Sequence, residues 1–535
     1  MSRTRSRPRP THTQTLLPVA NSCPVCFHKL WEDYRNFRTV TTLYGVVRLT
    51  LHIRRCPNQA CERFHRPYRP ESEPHFALPH HEFGLDVLTL VGRLRHAEHR
   101  SVPEIHQELT RRGVAVAPRT VSNLLDRYDE LRALATADPK RLGPLLRDQG
   151  RVVLAIDGLQ PDVGHEVLWV LRDCLSGEVL LAKSLLSATI AAVAALLTEV
   201  RDALPVNVTG VVSDGQDTIR KAVARTFPDV PHQQCHFHYL REAARPIYEG
   251  DRHAKKELKK RVRGVRKLER QSEADNDVEG ELVRGYCAAV RAALTDDGRP
   301  PLVASGLKLH DRLEQISASL DRVAARAGPF PGGLKRLRQL LGKGLEQTAG
   351  LWPRVRAAYR WVKRVARLLA NEQQRPARQV RRQLSQILSR MRQAAAATPE
   401  PELANQLRHF VKVSKSYWSG LFGCYASAEL PRTNNDLEHL FGSHRYHERR
   451  ASGRKVASPG LVVLGSVRVI SGLATRLRPE EGLVLGVGYV GRWRQLHAEL
   501  EQRRRTRRQQ RRFRRDPIMY LKKLEELALQ LSLLP

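Results

Sequence analysis

Three observations predict a multidomain α+β chain. They are two short-spaced cysteine pairs flanking an alternating apolar stretch, two apolar runs that each end in Asp-Gly, and a long basic middle with apolar residues every three or four positions. The first marks a small metal-knit β module, the second an α/β domain and the third an all-α region. At 535 residues with 41% apolar content, the chain is long enough for several domains with their own cores.

Residues 1–80 carry Cys23 and Cys26 in C-P-V-C and, after 29 intervening residues, Cys56 and Cys61 in C-P-N-Q-A-C. Each pair forms a knuckle and the two meet across a hairpin, so a zinc ribbon with one structural Zn²⁺ is expected. Val47, Leu49, Leu51 and Ile53 alternate toward Cys56 as one strand of that hairpin. A disulfide reading is disfavoured in a reducing compartment. His52 and His65 are the nearby substitutes if one thiol is not a ligand.

Residues 81–145 read as a helix-turn-helix domain. A helix near Leu85 to Ala97 stops before Ser101-Val-Pro-Glu, a capped start with Pro103 in the first turn. After the Arg112-Gly113 break and Pro118, Arg119 to Leu131 forms a further amphipathic helix bearing Arg119, Thr120, Ser122, Asn123 and Arg127. Such a helix enters a major groove, with Arg119, Ser122 and Asn123 as the leading contacts. A solvated face of a small bundle has the same periodicity.

Residues 146–248 read as an α/β domain. Arg151 to Asp157 (RVVLAID) ends in Asp157-Gly158, the pattern by which a buried strand delivers a carboxylate to a sheet edge. Val206 to Asp214 (VNVTGVVSD) repeats it and ends in Asp214-Gly215. Between them lie a hairpin, Val167 to Asp173 and Glu178 to Lys183 about Ser176-Gly177, and an Ala/Leu-rich helix near Ala188 to Ala203. The order is strand, strand, strand, helix, strand. In 421–480, the segment TNNDLEHLFG offers Asn434 or Asn435 as a helix cap and Leu437, Leu440 and Phe441 as a buried stripe. Glu438 then projects from the first or second turn.

An Asp-Gly after a strand is, taken singly, usually a turn. Two strand-end aspartates and a helix glutamate together are the oxygen ligands that hard cations take. Phosphodiester cleavage or transfer uses two such cations about 4 Å apart, one at the attacking and one at the leaving oxygen. The expectation is a metal-dependent nuclease site with two Mg²⁺ (or Mn²⁺) ions.

The motifs AIDG, SDGQ, CHFH and TNNDLE resemble those of DDE transposases with an RNase H-like core. The resemblance covers roughly Arg151 to Tyr248 and Leu421 to Leu477, with helical material between. An insertion before the final glutamate is similar to Mutator-like and hAT-like transposases and related bacterial insertion-sequence enzymes. It implies a split RNase H-like catalytic domain, Asp157, Asp214 and Glu438 as the catalytic triad, and assembly as a homodimer or higher multimer on DNA. Cys235 and His238 in PHQQCHFH are similar to the Cys/Asp-x-x-His motif of those superfamilies. The plainer reading has Cys235 packing at a strand end and His238 bonding nearby backbone. Zinc held by Cys235, His236 and His238 lacks a fourth local ligand.

Residues 249–420 read as the helical insertion, with basic stretches such as HAKKELKKRVRGVRKLER. Its surface would guide DNA toward the acids. Trp352, Tyr359 and Trp361 are favoured as core anchors over base-stacking platforms. Glu273 to Glu281 reads as an acidic loop. In GSHRYHERRASGRK, His444, Arg445, Arg449, Arg450 and Lys455 are DNA-contact candidates. Residues 481–535 read as a basic tail, with nine arginines between Glu501 and Arg515 and an amphipathic segment from Ile518 to Leu534.

A formal net charge of +36 calls for a polyanionic partner, and double-stranded DNA is the natural one. No run approaches the roughly 18 apolar residues of a membrane span, and MSRTRSRPRP lacks the apolar core of a secretory signal. The expectation is a cytoplasmic, nucleoid-associated transposase cutting element ends and joining them to target DNA. Two other classes stay open: a catalytically silent transposase-derived DNA-binding protein, and an RNase H-like nuclease without joining activity.

Overall fold

The computed structural model describes residues 9–160, 166–273, 277–296, 298, 301–326, 330–453, 459–485 and 488–532. Its architecture is mixed α and β with two small sheets. Strands β1 (His12–Leu16), β2 (Trp31–Thr42) and β3 (Gly45–Arg55) come first, then helices α1 (Leu85–His96), α2 (Val102–Arg111), α3 (Pro118–Thr136) and α4 (Pro139–Gln149). Next are β4 (Val152–Leu159), β5 (Val167–Asp173), β6 (Val179–Leu185), α5 (Ile190–Ala203), β7 (Val208–Ser213), α6 (Asp217–Thr226), β8 (His232–Gln234) and α7 (His236–Ala243). A helical run follows: α8 (Arg245–Arg261), α9 (Val265–Gln271), α10 (Val278–Thr295), α11 (Ser305–Ala324), α12 (Gly332–Thr348), α13 (Trp352–Ala370), α14 (Ala377–Ala397) and α15 (Pro401–Tyr417). Helices α16 (Asn435–Ser452), α17 (Pro459–Leu477), α18 (Tyr489–Arg515) and α19 (Pro517–Ser532) come last.

Two compact units form. One comprises Met1–Val152, Asp157–Asn207 and Asp436–Pro535, and the other Val153–Ile156 and Val208–Asn435. The larger sheet has the order β6-β5-β4-β7-β8, with β5 and β6 antiparallel from Val167↔Leu185 and β7 and β8 parallel from Val211↔His232 to Ser213↔Gln234.

In the first unit, β2 and β3 form an antiparallel hairpin from Trp31↔Arg55 to Thr42↔Gly45, and β1 adds in parallel to β3. The alternation seen in sequence buries Leu49, Leu51 and Ile53 against Leu16, Val40 and Ala77. Gly45 closes the hairpin with φ 125° in the region that favours glycine, and a Cβ there would lie 2.5 Å from Thr11 Oγ1.

Helices α1, α2 and α3 pack around Leu88, Val91, Ile105, Leu109, Leu124 and Tyr128. The start of α2 is fixed by a capping box between Ser101 and Glu104 with Pro103 in the first turn. The same core includes Leu483, Leu485 and Trp493, so part of the segment expected as a basic tail packs as structure. Two tail arginines are also spent on ion pairs, Arg503 with Glu166 and Arg504 with Asp126 at 2.6 Å. Arg127, expected on an exposed helix face, is instead buried, paired with Glu130 and lying 5.9 Å from the Trp493 ring centre. The α3 helix runs past its exposed first turns into the core, and Arg127 lies on that buried part.

A buried polar network ties α1 and α3 to α16 and α17. The fully buried Asp129 accepts from His96 Nε2 at 2.7 Å, Arg468 Nε at 3.0 Å and Ser471 Oγ at 2.5 Å. His447 lies with its ring centre 5.3 Å from that of His96 and its Nδ1 2.6 Å from His99 Nδ1, and Arg95 stands 3.6 Å from Glu448. Burial pushes the His444 imidazole down to about 4 and lowers His447 as well. The unfolded chain protonates each of them near pH 6.5, whereas the folded chain resists until far lower. Stability is therefore full above pH 6.5 and falls as pH drops toward 4. Each histidine is expected to cost on the order of 2 kcal/mol by pH 5. Amide protection in α16 and α17 should drop accordingly between pH 7 and 5, and His444→Leu should flatten the drop. Protection that does not change over that range would show these imidazoles to be hydrated.

The second unit places β7, α6 and β8 beside a large helical core that includes Tyr239, Leu258, Leu313, Trp352, Tyr359 and Phe410. Trp352 and Tyr359 are fully buried, which makes them core anchors. The acidic stretch read as a loop is helical from Val278 onward. Asp277 Oδ1 accepts from Gly280 N at 2.7 Å, and Glu279 and Glu281 occupy the first turn of α10, where the helix dipole favours acids.

Candidate active site

Asp157 lies near the end of β4, where its Oδ1 accepts from Gly158 N at 2.8 Å. Asp214 directly follows β7, half-buried, with Oδ1 accepting from Gln216 N at 3.1 Å. Its neighbour must be glycine: a Cβ on Gly215 would sit 2.0 Å from the Tyr417 ring. Burial raises the Asp214 carboxyl above its ordinary value, opposed by the Gln216 amide and the Arg241 charge. Such a carboxylate is short of positive charge, and a divalent cation would supply it. Glu438 occupies the first turn of α16, half-buried.

The second unit assigns the Cys-x-x-His turn a structural task. Cys235 follows Gln234, which is register-paired with Ser213, so Asp214 and Cys235 leave two adjacent parallel strands at the same level. The Cys235 amide donates to Ser213 O at 2.7 Å, and its buried Sγ accepts from Asn434 N at 3.3 Å. Asn434 Nδ2 in turn donates to Ile156 O at 3.1 Å. Asn434 therefore staples the residue before Asp157 to the β8–α7 turn, four positions ahead of Glu438. It does this while lying just outside α16, so it acts as a brace between Ile156 and Cys235.

His236 hydrogen-bonds Leu421 O through Nε2 at 2.8 Å and its own amide donates to Arg432 O at 3.0 Å, fastening the same returning segment. His236 is thereby engaged and does not complete a zinc set with its neighbours. Burial lowers His238 to about 4, leaving it neutral at pH 7 with a ligand atom within 4.8 Å of Cys235 Sγ.

Among the DNA-contact candidates, Arg119 and Asn123 are exposed on the first turns of α3 and Ser122 is half-buried. On α16, Arg445, Arg449 and Arg450 are exposed. His444 is buried in the polar network, a correction to its reading as a DNA contact. Lys455 lies outside the described residues.

Sequence reasoning missed a recess of about 290 Å³ in the first unit, lined by Arg172, Asp436, His439, Ser443 and Arg476. Arg172 stands 3.4 Å from Asp436. Arg476 hydrogen-bonds Gly472 O and Ser443, and burial alone lowers its ionisation, with no carboxylate against it among the described residues. A half-buried guanidinium without a counter-charge is suited to receive an anion. The only sequence signal was an arginine at the end of an apolar helix.

The four N-terminal cysteines converge. Their sulfurs lie within 4.8 Å of one another, with Cys23 to Cys61 at 3.8 Å and Cys26 to Cys56 at 3.4 Å. Zn–S bonds of about 2.3 Å put tetrahedral sulfurs about 3.8 Å apart, so the set fits a structural zinc ion. Phe27 turns back after the first knuckle with φ 59°, and its amide donates to Cys23 O at 2.9 Å. Cys61 Sγ accepts from Arg63 N at 3.4 Å, and the Tyr68 hydroxyl, 3.3 Å from Cys23 Sγ, does most to pull that thiol down to about 6. His52 is instead paired with Glu32 at 2.7 Å and His65 with Arg55 at 3.0 Å, so neither is needed as a substitute ligand.

Residues 191–303 match the family model described as "Transposase, Mutator family". The match supports a Mutator-like transposase; it runs from α5 into the helical run and includes Asp214, Cys235 and His238. No curated protein matches the chain.

Proposed function

We propose that this chain is a DNA transposase of DDE type that cuts element ends and transfers the liberated 3′ end to target DNA. The observation that carries the reading is the Mutator-family match across the strand that leads into Asp214 and the Cys235 turn. Asp157, Asp214 and Glu438 are assigned the binding of two Mg²⁺ (or Mn²⁺) ions in an RNase H-like core. When bound, the ions supply charge stabilisation to the attacking and leaving oxygens. The acids hold the cations and do no proton chemistry of their own. Asn434 and Cys235 keep the acid-bearing segments in register, and Arg172 and Arg476 are placed to receive a backbone phosphate.

End recognition is assigned to α2 and α3 as a helix-turn-helix, with Arg119, Ser122 and Asn123 toward the major groove. Arg445, Arg449, Arg450 and Lys455 are assigned contacts to the strand being cut. The Cys23, Cys26, Cys56 and Cys61 ribbon holds Zn²⁺. Two ends must be held together for joining, so a homodimer or higher multimer on duplex DNA is the working form, in a cytoplasmic, nucleoid-associated setting.

The test is a joining assay with purified protein, Mg²⁺ or Mn²⁺, and a pre-cut duplex bearing the flanking element's end. Joined product that disappears on chelation is expected. Duplex binding without joining would favour a silenced relative, and cleavage without joining an RNase H-like nuclease.

A further inference from the structure

Another recess, about 510 Å³ and in the second unit, is a groove lined by Tyr248, Arg252, Lys255, Lys256, Lys259 and Arg263. Among the described residues, no carboxylate lines it. We propose that this groove is a binding track for the phosphate backbone of duplex DNA, separate from the acids and from the end-reading helices.

The α8 sequence makes the groove by dividing its faces. Asp251, Ala254, Leu258 and Val262 are buried on one side, whereas Arg252, Lys256 and Arg263 are exposed and Lys259 is half-exposed. The rotation of the helix is fixed by Asp251, whose carboxylate accepts from Gly306 N at 2.8 Å and Leu307 N at 2.9 Å and so caps α11. Gly306 permits that approach, since a Cβ there would lie 2.5 Å from Asp251 O. With Asp251 turned inward, the cations at 252, 256 and 259 share the outer face over about 10 Å of helix, and Arg263 extends the line.

Elsewhere on the surface, arginines such as Arg111, Arg112, Arg291 and Arg338 are matched by nearby carboxylates. In this groove, Arg252, Lys256 and Arg263 make no side-chain hydrogen bond or ion pair among the described residues. A linear row of cations in which Arg252, Lys256 and Arg263 are unmatched among the described residues suits a linear polyanion better than a compact one, and duplex DNA presents a phosphate every 3.4 Å or so along each strand. The identity of the polyanion rests on the transposase reading; the groove itself does not.

The test is salt-titrated binding of a random-sequence duplex of about 30 base pairs to the full chain. Wild type is compared with a variant in which Arg252, Lys256, Lys259 and Arg263 are all changed to Gln. A second variant changes the exposed Arg360, Lys363, Arg364 and Arg367 of α13 to Gln, removing the same charge elsewhere in the unit. If each groove cation neutralises one phosphate, the slope of log K against log salt should fall by roughly 3 to 4 in the first variant. Its affinity loss between 50 and 200 mM salt should then be roughly 100-fold smaller than that of wild type. The α13 variant should change the slope by less than one. An unchanged slope in the groove variant, with the circular dichroism melt of wild type, would overturn the assignment. So would equal changes in both variants, which would make the effect one of net charge. A groove effect in a chain that joins no DNA would leave the track standing and remove the transposase; normal joining with an unchanged slope would do the reverse.

Discussion

Asp157→Asn is expected to lower strand joining by roughly 10³-fold or more while duplex binding stays at the wild-type level. The substitution keeps the size of the side chain and an oxygen able to accept the 2.8 Å bond from Gly158 N, so β4 should end as before. What it removes is a negative charge, and hard cations are held by charge as well as geometry. A cation at developing oxyanions is worth several kcal/mol of the barrier, and each 1.36 kcal/mol is a factor of ten. Asp214→Asn should match it. It should also relieve the burial that raises the Asp214 carboxyl, so the inactive protein should be no less stable than wild type. Combining either with Glu438→Gln should add little, because groups that act as a unit are not additive. Joining at the wild-type rate by the Asp157 variant would remove that residue from the site.

The strand-end acids were legible because they interrupt apolar runs, and that pattern depends only on covalent order. The cysteine pairs were legible for the same reason. The brace by Asn434 was not: its partners Cys235 and Ile156 are remote in sequence, and a cap position describes Asn434 equally well. The miss at His444 is different, because the signal was present. Leu437, Leu440, Phe441, His444, His447 and Glu448 fall on one helical stripe, all buried, while Arg445, Arg449 and Arg450 fall on the other face. A stripe that begins apolar was not followed into its polar continuation. Continuing it would have assigned His444 to the interior and left the three arginines as the exposed set. Arg127 repeats the lesson on α3, where helical spacing from Leu124 and Leu131 gives it to the core.

Cys56→Ser is expected to remove the zinc ion and with it the fold of the N-terminal ribbon. The hairpin has a small apolar core of Leu16, Val40, Leu49, Leu51, Ile53 and Ala77, and a module of this size rarely supplies enough burial to hold itself. Structural zinc contributes about 10–16 kcal/mol to such a site at pH 7, so a three-thiol remnant loses most of what orders the knuckles. Cys56 is the sharpest choice, because it is almost fully buried, directly follows the strand that carries the core alternation, and lies 3.4 Å from Cys26 in the opposite knuckle. Burial pushes its thiol up to about 12, a cost that a bound metal would reverse. Wild type should carry one zinc per chain by elemental analysis, and the variant less than a tenth of that. Trypsin should then cut the variant among the arginines of β2 and β3, while the helical core around Leu88 and Tyr128 stays protected. Full zinc content in the Cys56 variant would mean that the four thiols are not the ligand set. Zinc loss without new cleavage would mean that the hairpin core, small as it is, stands without the metal.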